Sequence, residues 1–314
     1  MRISTSMIFD AGRNSMMRQS ADLLHTQQQL ASGRRILSPS DDPIGASRAL
    51  EVTQSKSVNK QFQTNQGYAK DALASLESNL GSITDVLTYI RTRAVEAGNG
   101  AFSASEHEAI ATDLEAQFGA LLGIANGKDA TGDYQFAGYQ SAQPAFSGGA
   151  ALPSAGPGPV IYDGDGGERS MQVGSTRVMP VAEPGSKVFM ADPATGESQV
   201  FGAISQFITE LRKDPADPTR NIGAAVSQAI GDMDVALENV STIRASVGSR
   251  MVELHALGEL AAVQDQQYAE TLSRLQDLDY NEAITRFTQQ QTILEAAQQS
   301  YVRVTGLSLF NLLS

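Results

Sequence analysis

Apolar side chains recur at heptad spacing along two long stretches of this 314-residue chain. In the first stretch the spacings alternate between three and four, and the positions are Leu73, Leu76, Leu80, Ile83, Leu87, Ile90, Ala94 and Ala97. In the second the spacing is seven, and the positions are Val226, Met233, Val240, Val247, Leu254, Ala261, Tyr268 and Leu275. These patterns predict two long helices that pack their seams against each other. Because no proline follows Pro218, we expect the second helix to continue to about Val304.

The two ends of the chain carry much narrower apolar stripes. Near the N-terminus, apolar and polar positions alternate in the order Met16, Gln19, Leu23, Thr26 and Leu30. Near the C-terminus, the apolar positions are Ile284, Phe287, Leu294 and Tyr301, with the amides Gln291 and Gln298 at alternate positions. Such stripes are too narrow for a globular core, and buried amides need hydrogen-bond partners.

We therefore predict that the terminal helices pack on one another and on neighbouring subunits; the alternative is a merely solvated face. Residues 1–60 contain eight Lys and Arg against five Asp and Glu, whereas residues 265–314 contain three Lys and Arg against six Asp and Glu. The two ends therefore carry net charges of opposite sign. The predicted subunit-interface residues are Leu23, Leu30, Arg34, Asp41, Asp42, Ile284, Phe287, Leu294, Tyr301 and Leu307.

Local sequence signals predict where the remaining helices begin and end. A first helix over residues 7–31 should end at Gly33, and Asp42 with Pro43 is a favourable start for the next helix. Ser105 and Glu108 form a capping-box pattern. The helix that it opens would bury a face made of Ile110, Leu114, Phe118, Leu121 and Ala125. Another helix is expected around residues 204–211.

The middle of the chain has a different composition. Between Pro144 and Gly167, eleven residues are Gly or Pro, which a helix interior does not tolerate. Short apolar runs predict strands near Val160 and at residues 171–173, 178–181 and 188–190.

The expected fold class is mainly α with a β-rich insertion. It consists of a long antiparallel coiled-coil-like helical bundle formed by both termini and a small β domain in the middle. The predicted domains are a terminal helical assembly domain (1–45 and 275–314), a helical bundle or rod domain (46–132 and 201–274) and a β-rich outer domain (133–200).

Charge and composition exclude several functional classes. The formal net charge of −12 argues against nucleic acid or an acidic membrane surface as the main partner. The absence of cysteine excludes disulfides and thiolate chemistry. No apolar run reaches the length of a membrane-spanning helix, and Asp10, Arg13 and Asn14 interrupt the N-terminal stretch where a cleavable signal would be apolar. We expect either a cytoplasmic protein or one exported without a cleaved leader.

Candidate catalytic and metal-binding motifs are weak. His25, His107 and His255 each lie in a helical stretch with no second ligand at metal spacing. Residues 163–168 are similar to a calcium loop but lack its later acidic positions, and Ser57 with Lys60 has no companion acyl-transfer motif. We therefore predict no enzyme activity, no metal and no cofactor.

Several motifs at the ends are more specific than a general coiled coil. Residues 30–36 read Leu-Ala-Ser-Gly-Arg-Arg-Ile, residues 39–46 read Pro-Ser-Asp-Asp-Pro-Ile-Gly-Ala, and residues 278–283 read Leu-Asp-Tyr-Asn-Glu-Ala. With residues 1–5, 97–100 and 134–139, these stretches closely resemble the signatures of the flagellin superfamily.

The resemblance implies a secreted, extracellular structural subunit of the bacterial flagellum, placed between hook-associated protein 1 and the flagellin filament. Its implied partners are hook-associated protein 1, flagellin, further copies of itself and an export chaperone before type III export. The main alternative is a flagellin-type major filament subunit, which usually lacks the proline seen here after Asp42. Two further hypotheses are a surface adhesive module and an enzyme within the β-rich insertion.

Overall fold

A computed structural model describes residues 5–129, 131–152 and 155–313, without the side chains of residues 5, 6, 8 and 304–313. It confirms a mainly α fold with paired terminal helices and a β-rich insertion. The helices are α1 (Thr5–Ser32), α2 (Pro43–Ala97), α3 (Ala104–Ala125), α4 (Gly185–Val188), α5 (Gln199–Arg212), α6 (Ile222–Gln276) and α7 (Tyr280–Leu313). The strands are β1 (Phe146–Gly148), β2 (Val160–Tyr162), β3 (Ser170–Gln172) and β4 (Val178–Pro180). Within the described residues, none of these helices is both long and apolar enough to cross a membrane.

The chain divides into two compact units. Unit 1 comprises Met1–Asn59 and Ala262–Ser314, and unit 2 comprises Lys60–Ala261. Unit 1 therefore holds α1, α7, the first turns of α2 and the last turns of α6, and unit 2 holds the other elements. The finer division into three domains, with the β-rich region on its own, stays a prediction.

The core of unit 2 is built on the two predicted seams. All the seam residues of α2 from Leu73 to Ala97 are buried, as are those of α6 from Val226 to Ala261, and one apolar cluster contains nearly all of them. Ion pairs accompany the seams. The Arg244 guanidinium lies 2.6 Å from the Glu77 carboxylate, and the Arg91 guanidinium lies 2.6 Å from the Asp234 carboxylate. Burial of large aliphatic side chains at about 25 cal/mol per Å² is the main term that stabilises this unit.

Helix α3 begins two residues earlier than the sequence pattern indicates. The capping box is Ser103 with Glu106, not Ser105 with Glu108: the Ser103 N–H donates to the Glu106 carboxylate at 2.6 Å, and Ser103 accepts from the Glu106 N–H. Both serines are followed three residues later by a glutamate, so the pattern alone does not choose between them. The predicted inner face from Ile110 to Ala125 is confirmed as buried.

The β-rich region consists of two antiparallel pairs, β1 with β2 and β3 with β4. Phe146 is opposite Tyr162 in the first pair, and Ser170 is opposite Pro180 in the second. The strand predicted at residues 188–190 is wrong, because the chain there forms the end of α4 and a turn in which Met190 has a φ of 52°. Strand β1 has no clear sequence signal, since it is only three residues long, ends at Gly148 and is followed by a second glycine.

A cluster of aromatic rings joins this region to the helices. The ring centroids of Phe146 and Phe189 are 5.0 Å apart, and those of Phe118 in α3 and Phe201 in α5 are 5.2 Å apart. Phe146 and Phe201 are linked at 5.8 Å, so the cluster is continuous. Edge-to-face pairs of this kind add to the stabilisation that burial provides.

Candidate interface at the paired terminal helices

Helices α1 and α7 pack against each other in antiparallel directions. Near the start of α1, the ring of Phe9 meets that of Tyr301 edge to face with centroids 6.3 Å apart, and Gly12 lies beside the same tyrosine. At the other end of α1, Gly33 lies beside the hydroxyl of Tyr280, the first residue of α7. The predicted pairing of the two ends is therefore present within a single chain.

The structure differs from the sequence-based prediction in which residues of α7 face inward. The less exposed positions are Ala283, Phe287, Gln290, Leu294, Ala297 and Tyr301, which alternate spacings of four and three. Gln291 and Gln298, which we expected at alternate seam positions, are exposed, and Ile284 is 53% exposed. Ala283 and Ala297 occupy the seam instead. Their small side chains do not stand out in a pattern based on large apolar residues.

The other predicted interface residues have varied surroundings. Leu23 and Leu30 in α1 are half-buried, as are Phe287, Leu294 and Tyr301 in α7. Leu307 belongs to α7, but its side chain lies outside the described residues. Whether this set contacts neighbouring subunits stays a prediction.

Buried polar atoms between the terminal helices are incompletely satisfied. The Gln29 side chain is 5% exposed, and its Nε2 donates to the Arg35 carbonyl at 2.6 Å, but its Oε1 has no partner among the described residues. The Oε1 atoms of Gln19 and Gln290 are also buried without a described partner. A buried acceptor without a donor costs about 1–3 kcal/mol. Three amide oxygens of these helices thus keep an acceptor capacity that no described side chain or backbone group uses.

The connection between α6 and α7 meets the connection between α1 and α2 in a short antiparallel bridge, which we call the elbow (residues 33–35 and 276–278). The Arg35 N–H donates to the Gln276 carbonyl at 2.7 Å, and the Leu278 N–H donates to the Gly33 carbonyl at 3.0 Å. The long helix predicted to reach Val304 is thus interrupted. Asp279 caps α7, since its Oδ1 accepts the Asn281 N–H at 2.9 Å.

Two further side chains fix the elbow to the start of α2. The Arg35 guanidinium donates to the Leu275 carbonyl at 2.9 Å and to Asp42 at 3.2 Å. Asp42 also accepts the Gly45 N–H at 2.9 Å, which confirms it as the N-cap of α2. This Gly45 hydrogen bond and the one from Arg35 lower the pKa of Asp42. Asp42 therefore joins a helix cap to the elbow.

Asp41 holds the preceding loop in place. One carboxylate oxygen accepts the N–H groups of Leu37 and Ser38, each at 2.9 Å, and the other lies 3.3 Å from His25. The backbone hydrogen bonds of Ser38 and Leu37 lower the pKa of Asp41 from 3.8 to about 2. Both predicted interface aspartates thus have partners within the chain, whereas the Arg34 side chain is exposed.

Gly33, Arg35 and Tyr280 belong to this site but are not among the predicted interface residues, although the motifs at residues 30–36 and 278–283 contain them. The sequence does not show that these two motifs lie next to each other in the folded chain, and this contact is what defines the site. Within the described residues, no cluster of acidic and histidine side chains could hold a metal ion. Helices α1 and α7 instead present a surface on which other helices could pack.

Comparison with known proteins identifies the class. The bacterial flagellin N-terminal helical region matches residues 3–141, and the bacterial flagellin C-terminal helical region matches residues 230–313. The paired terminal helices come from these two regions. The chain belongs to the flagellin superfamily and is a flagellar structural protein.

Within that family, the chain is similar to flagellar hook-associated protein 3. It is 29% identical to the Escherichia coli K12 protein of that name, and the alignment covers 99% of each chain. The crystal structure of flagellar hook-associated protein 3 from Legionella pneumophila has a TM-score of 0.62 at 18% identity, covering 71% of this chain and 98% of that chain. A Listeria monocytogenes flagellin is 26% identical over only 39% of this chain and 41% of its own length.

The elbow should be sensitive to a methyl group at Gly33. This glycine has a φ of 68°, and an added Cβ would lie 2.9 Å from the Tyr280 hydroxyl. A left-handed backbone costs a non-glycine residue about 1–2 kcal/mol, so Gly33→Ala should speed exchange of the Arg35 and Leu278 amide protons roughly tenfold. Hydrogen exchange followed by NMR measures this. Gly67→Ala, at an open helical position, is the matched control and should leave both amides unchanged.

The loop held by Asp41 should open in acid. Because its carboxylate accepts two N–H groups in the folded state, the pKa is lowered, and the stabilisation is complete above pH 3.8 and lost as the pH falls towards 2. The Leu37 and Ser38 amide resonances should therefore shift with a midpoint near 2. In Asp41→Asn this transition should be absent. A wild-type midpoint near 3.8 would contradict the assignment.

Proposed function

We propose that this chain is the subunit that joins hook-associated protein 1 to the flagellin filament. In this proposal, unit 1 is the assembly interface: α1 and α7 pack on copies of the same chain and on the neighbouring axial proteins. The chain is exported before assembly, with an export chaperone as a partner on the way. It acts as a mechanical connection and performs no chemical reaction.

The uneven distribution of apolar burial supports this proposal most strongly. Of the buried hydrophobic residues in the described part of the chain, only Ala49 and Ala283 lie in unit 1, and both are small. Unit 1 instead exposes many large apolar side chains: Met7, Met17, Leu24, Ile44, Leu50, Val58, Val263, Tyr280, Ile284, Ile293 and Val302. These side chains could pack against a partner, because unit 1 itself covers so little of its apolar surface.

Energetics link this distribution to assembly. Ordering the backbone costs about 1–2 kcal/mol per residue, and two buried alanines cannot offset this over two helices. Contacts with neighbouring subunits would bury the exposed side chains and supply the missing free energy. The same contacts could bring donors to the unpartnered oxygens of Gln19, Gln29 and Gln290. Unit 1 exposes these side chains while it buries only two alanines, and this combination favours packing over a merely solvated face.

Complementary charge gives secondary support. The N-terminal segment is positive and the C-terminal segment negative, which favours the approach of one end to the other, within a chain or between chains. Salt screens such attraction beyond about 8 Å at physiological ionic strength. Charge would therefore guide orientation, while apolar burial provides most of the affinity.

A major filament subunit is the second candidate, because both flagellin helical regions match. The extent of similarity favours the junction role: hook-associated protein 3 aligns with the whole chain, whereas the Listeria flagellin aligns with little more than a third. The Asp42–Pro43 start of α2 also favours it. Adhesion or catalysis by the β-rich region has no comparable support from the relatives.

Electron microscopy of a strain that lacks this protein tests the proposal. We expect hooks without filaments, together with flagellin secreted into the medium. Restoring the protein with Leu294→Ser and Tyr301→Ser should fail to restore filaments, because both side chains lie in the seam of α7. The purified variant should keep the helical circular dichroism of unit 2, since neither residue belongs to it.

Gln291→Ser with Gln298→Ser is the matched control, because it changes exposed positions of the same helix. This variant should restore filaments. If the deletion strain still grew normal filaments, the junction role would be wrong. Loss of the helical signal of unit 2 in the seam variant would contradict the division of roles between the units.

A further inference from the structure

The chain contains two Asn-Gly pairs, Asn99–Gly100 and Asn126–Gly127, and their local structures are very different. In such a pair, the backbone nitrogen of the glycine can attack the side-chain carbonyl carbon of the asparagine, because glycine has no Cβ to hinder the approach. The reaction needs a free glycine N–H and an asparagine amide that can move. Local structure therefore decides which pair reacts.

Asn99 lies in the exposed turn between α2 and α3. Its Oδ1 accepts the Ala101 N–H at 3.1 Å, and the Gly100 N–H has no acceptor among the described residues. A Cβ built on Gly100 meets no atom within 4 Å, so the turn is open on that side. The Ala101 donor points at the oxygen on which negative charge develops during attack, and such a donor stabilises the transition state.

Asn126 is the C-cap of α3 and is fully engaged. Its Oδ1 accepts the Phe146 N–H at 2.9 Å, and its Nδ2 donates to the Phe146 carbonyl at 2.9 Å. The Gly127 N–H donates to the Ile124 carbonyl, also at 2.9 Å. The nucleophile, the leaving nitrogen and the carbonyl oxygen are thus all held in hydrogen bonds that the reaction would have to break.

We propose that Asn99 is a site of spontaneous deamidation in the folded protein and that Asn126 is protected. The Gly100 nitrogen forms a bond to Cγ of Asn99 and gives up its proton to water. Nδ2 then takes up a proton from water, the bond from Cγ to Nδ2 breaks, and the nitrogen leaves as ammonia. Water opens the resulting succinimide, which yields an aspartyl or isoaspartyl residue at position 99. The overall change consumes one water and releases one ammonia, with no oxidation or reduction.

The modification would change the end of α2. A new carboxylate would lie beside the C-terminal carbonyl groups of this helix, where negative charge is unfavourable. An isoaspartyl linkage would also lengthen the backbone between Ala97, whose carbonyl lies 3.1 Å from Nε2 of the buried His107, and the Ser103 cap of α3. The modified chain would carry one more negative charge at a turn that links two core helices.

Mass spectrometry of the full-length protein tests the proposal. The folded chain and a urea-unfolded sample are incubated in mildly alkaline buffer and then cut with a glutamate-specific protease, which separates the two asparagines because Glu96, Glu106 and Glu115 lie around and between them. In the unfolded chain both sites should react at similar rates. In the folded chain Asn99 should stay within a few-fold of that rate, whereas Asn126 should slow on the order of 100-fold, since three hydrogen bonds must break.

Gly100→Ala supplies a direct check, because the added methyl group has room but hinders the attack. Deamidation at position 99 should fall sharply in this variant, and labelling by isoaspartyl methyltransferase should fall with it. Gly119→Ala, at an open position of α3, is the matched control and should change neither signal. Equal rates at the two asparagines in the folded chain, or an unchanged rate in Gly100→Ala, would overturn the proposal.

Discussion

Apolar burial is divided very unequally between the two units, and the proposed roles of the helices rest on this division. Unit 2 buries the seams of α2 and α6, the inner face of α3 and a cluster of phenylalanines, so it has the core of an independent folded body. Unit 1 has long helices but almost no buried apolar side chains of its own among the residues that the structure describes. In the proposed role, unit 2 stays folded on its own, whereas the helices of unit 1 depend on contacts with neighbouring subunits.

The elbow connects this division to the flagellin signatures in the sequence. Gly33 and Arg35, from the motif at residues 30–36, make backbone hydrogen bonds with Leu278 and Gln276. The Arg35 guanidinium also donates to the Leu275 carbonyl and to Asp42, which belongs to the motif at residues 39–46. These contacts lie at the connection between α1 and α2 and at the connection between α6 and α7, and they fix the positions of both. They require specific residues and very little apolar area, which explains why short polar motifs are recognisable at the ends of a chain whose terminal helices bury so little.

Heptad spacing was sufficient to predict the seams of unit 2, because apolar residues recur there without interruption from Leu73 to Ala97 and from Val226 to Ala261. It was insufficient in α7, where alanines and Gln290 occupy the seam and Ile284 does not. The cap at Ser103 was missed because two overlapping patterns satisfy the same rule, and the break at residues 277–279 was missed because no proline or glycine marks it. The break lies where residues 276–278 pair with residues 33–35. The spacing of apolar residues along the chain does not indicate contacts between segments so far apart in sequence.

If the terminal helices gain most of their stability from neighbouring subunits, they should be weakly protected in their absence. Hydrogen exchange of the dilute, full-length monomer measures this most directly. We predict strong protection of amides along residues 73–97 and 226–261, and protection that falls along α1 and α7 with distance from the elbow, so that amides near Leu23 and Leu294 exchange rapidly. Protection around both leucines as strong as in unit 2 would show that the terminal helices are stable without neighbours.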